Sequence, residues 1–152
     1  MIDGRTLPEG EPVYTFVAED GENFHIHAHR LRQHLIKTSH KIISAPVRKA
    51  LASQFLAENS ISLERVQELM SRLFASDNPK PDPIILCLTP GGDHDVMLVD
   101  GHHRYFIHAL YKVPVIPAWL VEPPIWQEFR VINIRNLSQD ELIAAPLGER
   151  NY

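Results

Sequence analysis

The chain has 152 residues, 44% hydrophobic and 22% charged, with fifteen Lys and Arg against nineteen Asp and Glu for a formal charge of −4. That length suits one domain with a sizeable core, while no apolar run nears the ~18 residues of a membrane span and "MIDGRTLPEGEPVY" has no apolar h-region, so neither a spanning segment nor a secretory signal is expected. A lone Cys87 excludes an internal disulfide and a thiolate zinc cage, and with a negative net charge and no basic stretch standing out, direct DNA binding is not expected, a local patch aside. The expectation is a cytoplasmic domain with no membrane partner.

Residues 13 to 28, "VYTFVAEDGENFHIHA", predict a β-hairpin. Val13, Thr15 and Val17 alternate, Asp20-Gly21 supply the turn, and Phe24, Ile26 and Ala28 fall on one face. "HRLRQHLIKTS" follows as a short amphipathic helix with Leu31 and Leu35 four apart, and "HKIISAPV" as a strand ending at Pro46. Residues 48 to 59 fit either a helix or a long connection.

Residues 62 to 75 carry the clearest helical period. Val66, Leu69, Met70, Leu73 and Phe74 share one face, Ser62 can cap it, and Glu64 complements the dipole in its first turn. "DNPKPDP" ends that helix and leads into the apolar strand "IILCL", residues 84 to 88. "TPGGDHD" turns the chain into "VMLV", residues 96 to 99. After the stretch DGHHR, Phe106, Ile107 and Leu110 offer a helix face to the core. "VPVIPAWLV", residues 113 to 121, reads as a strand that Pro114 and Pro117 restrict to an edge or its ends. Ser138 and Glu141 form a capping-box pattern before a short helix limited by Pro146.

The chemistry concentrates at Asp100-Gly101-His102-His103-Arg104. A helix that starts here has unpaired N–H groups and a positive dipole end in its first turn. Its first-turn side chains are His103 and Arg104, where an acid is usual. Each added cation costs about 0.3–1 kcal/mol there unless an anion neutralises it. Gly101 lets a bulky ligand approach the backbone, and a phosphate satisfies N–H donors, guanidinium fork and imidazole together. The plainer alternative pairs Asp100 with Arg104 in a local salt bridge, with Asp100 as the N-cap and the histidines exposed.

Residues 61 to 121 resemble the core of the ParB/sulfiredoxin-like superfamily. "LERVQELMSRLFASDNPKPDPIILCL" is similar to its helix, proline-bearing turn and strand, and "VMLVDGHHRYFIHALYKVPVIPAWLV" to its strand, G-x-[HR]-R motif, helix and closing strand. The resemblance implies a nucleotide-phosphate site, with Gly101, His102, His103 and Arg104 at the phosphates. In sulfiredoxins a catalytic cysteine occupies the position of His102, and Cys87 lies on the wrong side of the motif, so sulfiredoxin chemistry is not expected. Partitioning members carry G-E-R-R and further DNA-binding and dimerisation domains, which are not expected in the about thirty residues after the closing strand. The DGHHR form resembles small free-amino-acid kinases of the superfamily. That implies phosphoryl transfer with ATP, ADP or CTP and Mg²⁺, to a small-molecule acceptor. Such transfer needs a carboxylate to orient or deprotonate the acceptor. Glu58, Asp100 and His102 are the catalytic candidates, Glu58 lying roughly where those kinases present a glutamate. Asp100 fits a metal or ribose contact, or simply a helix cap.

The other histidines offer one more possibility. "FHIHAHRL" places His25, His27 and His29 on one strand face. Neighbours at i and i+2 are about 6.6–6.8 Å apart, close enough for His25 and His27 to share a metal ion, with His34, His40 or His94 completing the set. A polar sheet face of exposed histidines is the simpler account. His108 could line the phosphate pocket, and Trp119 or Trp126 could stack on a base at its edge.

The expected fold is therefore mixed α/β (α+β): a ParB/sulfiredoxin-like mixed sheet with flanking helices. Residues 1–39 form an N-terminal hairpin-and-helix extension, 40–137 the domain, and 138–152 a C-terminal tail. The expected function is nucleotide-phosphate binding with phosphotransferase or hydrolase activity. The alternatives are a non-catalytic nucleotide sensor, a partition accessory and a ParB-like nuclease. Oligomeric state has no signature in the sequence.

Overall fold

The computed structural model describes residues 1–8, 10–17, 23–57, 62–75, 82–90, 95–134, 142–144 and 147–149, with backbone alone at 17, 54–57, 73–75, 95, 142–144 and 147–149. The architecture is mixed α/β. Strand β1 (Ile2–Asp3) leads through a 3-10 turn (Gly4–Thr6) to β2 (Val13–Val17) and β3 (Asn23–Ile26). Then come α1 (Ala28–Lys37), β4 (Ile42–Pro46), α2 (Lys49–Ala57) and α3 (Leu63–Ala75). β5 (Ile84–Leu88), β6 (Asp95–Asp100), α4 (His102–Leu110) and β7 (Val115–Val121) come next. The chain continues through α5 (Pro123–Trp126), a 3-10 turn (Gln127–Phe129), β8 (Val131–Ile132), β9 (Leu142–Ala144) and β10 (Leu147–Glu149).

Five strands form the central sheet in the order β10-β6-β5-β7-β4. Every residue of β5 is buried, the signature of a strand covered on both faces. One face carries Ile85, Cys87, Met97, Val99, Trp119 and Val121, packed against Phe16, Phe24, Ile26, Leu31, Leu35 and Trp126. The other carries Ile84, Leu86, Val96, Leu98, Ile116 and Ala118, packed against Leu51, Ala52 and Tyr105. The layer built from residues 13–37 thus shares a core with the central sheet. Leu31 and Leu35 are fully buried within it, and truncating either to Ala should cost about 2–5 kcal/mol.

Several sequence expectations need correction. β7 lies between β5 and β4, so it is not an edge, while Pro114 falls just before its start, as a position at the strand's end. Pro117 is tolerated because pairing with β5 begins only at Ala118, where no N–H is missing from the ladder. Residues 142–144 and 147–149 are strands rather than a helix, paired with β2 and β6. So short a segment cannot offset the cost of helix nucleation, whereas sheet edges already in place supply its hydrogen bonds. Ser138, Glu141 and Pro146 lie outside the described residues, as do Asp20 and Gly21.

In the hairpin, Tyr14 and Phe16 stand opposite Ile26 and Phe24, while Val13 packs with Leu7 and Val131 in a separate cluster. On α4, Leu110 is exposed and the buried positions are His102, Tyr105, Ile107 and His108. The sequence period places Phe106, Ile107 and Leu110 on the core face; Ile107 is buried and Phe106 packs in part against the core, but Leu110 does not. The helix instead rolls so that Tyr105 donates its hydroxyl to Pro46 O (3.3 Å) and accepts from Arg48 N–H (2.7 Å).

Candidate phosphate-binding cleft

The cleft begins with an irregularity in β6. Ile85 pairs with Asp100 but Leu86 pairs with Leu98, so Val99 is an extra residue, a bulge that re-aims the chain beyond it. Gly101 then takes φ +104°, and a Cβ built there would clash with the Ile84 side chain. No L side chain meets both conditions, so glycine is required. α4 starts at His102, and its first intrahelical bond runs from Tyr105 N–H to Gly101 O (2.9 Å). The N–H groups before Tyr105 therefore have no acceptor within the helix.

An open cavity of about 490 Å³ faces this turn, within the ~300–1,000 Å³ range of small-molecule sites. Gly101, His102, His103 and Arg104 line one wall, with Asp100 and Asp82 beside them. Tyr14, His29 and Arg32 come from the N-terminal layer, and Arg65 and Leu69 from α3. Three guanidinium groups thus face two carboxylates at the positive end of a helix. That balance favours an anion.

Arg104 is mostly buried, and its Nε has no hydrogen-bond partner among the described residues. Among the described residues its ion-pair partner is the exposed Asp82, with NH1 3.7 Å from Oδ2, too far for a hydrogen bond. Burial lowers the Arg104 pKa and nearby Arg32 adds to that, while Asp100 and Asp82 oppose it; the group stays charged. Asp100 neither caps α4, whose N-cap Gly101 makes no side-chain bond, nor forms an ion pair with Arg104. Arg32 holds it instead: Nε donates to Oδ2 (2.8 Å), NH2 lies 2.6 Å from the same oxygen, and NH2 also donates to Pro83 O (2.8 Å). Arg32 in turn lies over the Trp119 ring, 5.2 Å from its centroid.

The two motif histidines differ in setting. The His102 ring is buried at 3% exposure and stacks on Tyr14 at 5.3 Å and 13°. Burial raises the Tyr14 phenol pKa and Asp100 reinforces this, against Arg104 and Arg32. His103 accepts the Ser62 N–H at Nε2 (3.1 Å), tying α4 to the start of α3. Its pKa is lowered by burial and then by Arg65 and Arg104. Ser62 caps α3 as expected, its Oγ accepting from Arg65 N–H at 3.4 Å.

Glu58 and His94 fall outside the described residues. His108 is buried and hydrogen-bonds Arg104 O through Nδ1 (2.8 Å), away from the cleft lining. Trp119 and Trp126 are core residues, the latter donating Nε1–H to Leu88 O (2.9 Å).

The histidine-rich segment does not form a strand face. His25 alone is on β3, beside Thr15 Oγ1 (3.0 Å). His27 is the buried N-cap of α1, its Nδ1 accepting from Arg30 N–H (3.2 Å), so its proton sits on Nε2 and is donated to Glu11 Oε2 (2.6 Å). His29 already belongs to α1. His34 packs on Phe129 and His40 bonds Leu120 O, and among the described residues no three His, Cys, Asp or Glu form a group able to hold a metal.

Sequence reasoning missed Arg32, Arg65 and Tyr14. Arg32 reaches Asp100 across 68 positions, a contact with no local signal. No helix among the described residues is long and apolar enough to cross a membrane. Searches against family models, curated proteins and solved structures found no match.

Proposed function

We propose that this cleft binds a nucleoside phosphate, as the resemblance of DGHHR and its flanks to the ParB/sulfiredoxin-like superfamily implies, and that it serves phosphoryl transfer or nucleotide hydrolysis. The observation that carries the reading is Arg104, a mostly buried guanidinium with an unpartnered Nε beside the first turn of α4. A phosphate there would accept from Arg104 and the first-turn N–H groups, and Arg65 would meet a second phosphate. Gly101 leaves the backbone bare for that approach.

Phosphoryl transfer adds a requirement for Mg²⁺ and a carboxylate. Asp100 fits this role if a phosphate competes for Arg32, because the exchange frees a carboxylate to share Mg²⁺ or to orient an acceptor hydroxyl. Glu58 is the other candidate. A non-catalytic nucleotide sensor is the second reading, favoured by the hold of Arg32 on Asp100. Turnover by the wild type, lost in Asp100→Asn with binding retained, would decide for catalysis.

Binding is tested by thermal unfolding with ATP, ADP, CTP and GTP, each with and without Mg²⁺. A ligand at about 100 times its Kd adds ~2.7 kcal/mol, and each kcal/mol is worth about 2–4 °C for a domain of this size. The expected result is a shift with one nucleotide that vanishes in Arg104→Ala. A shift unchanged in that variant would remove the site from this cleft, and no shift with any nucleotide would reject the reading.

A further inference from the structure

β4 is an edge of the central sheet, and among the described residues no strand pairs with its outer side. Its hydrogen-bonding direction is set by its partner. Ser44 faces Pro117, which has no N–H, and Val47 N–H bonds inward to Pro114 O (2.9 Å). Alternation along an antiparallel pair then turns the N–H and C=O of Ile42 and Ser44 outward. Ile42 is 53% exposed and Val115, on the neighbouring strand, is 48% exposed, so apolar side chains accompany the open ladder.

At the far end of β4 lies a small hollow of about 140 Å³. Its floor is Val47, Ala109, Val113 and Pro114, and Lys49 and Lys112 stand at its lining. The volume is well below the ~300–1,000 Å³ of small-molecule sites, and its scale suits a single side chain. The stretch of chain that carries this edge is one-sided in charge. From Asn23 to Ala57 the chain has no Asp or Glu, while Lys37, Lys41, Arg48 and Lys49 flank β4.

We propose that the outer edge of β4 and this hollow take up an extended peptide segment of acidic character, which adds to the sheet as a sixth strand. The ladder groups of Ile42 and Ser44 supply main-chain bonds, and the hollow takes one apolar side chain. Lys41, Lys49 and Lys112 select acidic neighbours. Strand addition of this kind gains affinity from the backbone and specificity from alternate side chains. A second copy of this chain is disfavoured: antiparallel self-pairing about Ser44 would bring Lys41 of one copy beside Val47 and Arg48 of the other, and like charges across strands repel. Lys41 and Pro46 are also the residue types that keep sheet edges from joining their own kind.

The test pans a random peptide phage library on the full chain and on Ser44→Pro, which removes one outward N–H and leaves the bonds to β7 in place. Matching unfolding curves establish that the variant is folded. The expected clones alternate apolar or β-branched residues with flanking Asp or Glu, bind the wild type and fail on Ser44→Pro. They should lose about tenfold or more in affinity on Lys41→Glu/Lys49→Glu, through like-charge repulsion. Clones that enrich without acidic residues, that bind all three proteins equally, or that never enrich would overturn the proposal. So would a wild-type dimer that Ser44→Pro splits, which assigns the edge to a second copy. Displacement of the clones by a single-stranded oligonucleotide, abolished by the double lysine variant, would assign it to nucleic acid instead.

Discussion

The cleft at α4 and the histidine-rich segment at the start of α1 look alike in composition, yet the structure treats them oppositely. At α1 the polar groups have partners: His25 beside Thr15, His27 between Arg30 N–H and Glu11, His29 beside Gln33. At α4 a mostly buried arginine keeps an Nε with no partner among the described residues, and the described carboxylate it pairs with is 3.7 Å away. A dense run of histidines is thus a weak pointer to a site. A mostly buried cation with an unsatisfied donor, and only a distant, exposed carboxylate in pairing range, is a stronger one, because such a group is costly unless something else completes it.

The largest effect expected on this contrast is at Gly101. Gly101→Ala meets Ile84 and a positive φ, and backbone strain with overpacking should together cost about 2–5 kcal/mol, read by denaturant unfolding. His27→Ala should come next, at about 1–3 kcal/mol from the lost cap and buried contact. His27→Asn should recover part of it by restoring a cap acceptor. Metal content should be the same in all of these proteins. A rise in bound zinc that His27→Ala removes would break the comparison.

Arg32→Ala should destabilise by about 1–3 kcal/mol, since Asp100 and Pro83 O lose their donor, and should weaken nucleotide stabilisation as well. Arg104→Ala should differ in kind: little change without ligand, and loss of the ligand shift. Equal behaviour of the two arginine variants would mean that Arg104 is structural.

Acid should expose a further asymmetry. The pKa values of His25, His103 and His108 are all lowered, chiefly by burial. Their neutral forms therefore favour the fold, a contribution complete above the unfolded value of about 6.5 and lost as pH falls through the depressed folded values. Stability should decline on acidification below about pH 6.5, and His103→Gln should flatten that decline in unfolding measured across pH. The smallest effect is at Glu68, which pairs with both Arg65 (3.0 Å) and Arg72 (2.6 Å). Glu68→Gln should cost only about 0.3–1 kcal/mol at this exposed site, while releasing Arg65 and strengthening anion binding.

The elements near the cleft were legible because their signals are local. Helical periodicity and Ser62 marked α3, an apolar run marked β5, and the glycine and cations of residues 101–104 marked the start of α4. Elsewhere local signals misled. A capping-box pattern preceded residues that two different sheets took as β9 and β10, and the alternation of "FHIHAH" ran past the end of β3 into an N-cap and a helix.

By itself the sequence determined a mixed α/β chain, the positions of most strands and helices, and a cationic helix start behind Gly101. Only the tertiary structure decided that β7 is internal, that Asp100 belongs to Arg32 rather than Arg104, and that Arg65 and Tyr14 stand at the same cleft. The physical reason is separation along the chain. Periodicity, caps and turns are contests among neighbouring residues, whereas strand order and counter-ion choice depend on which distant surfaces meet when the two faces of the sheet are covered.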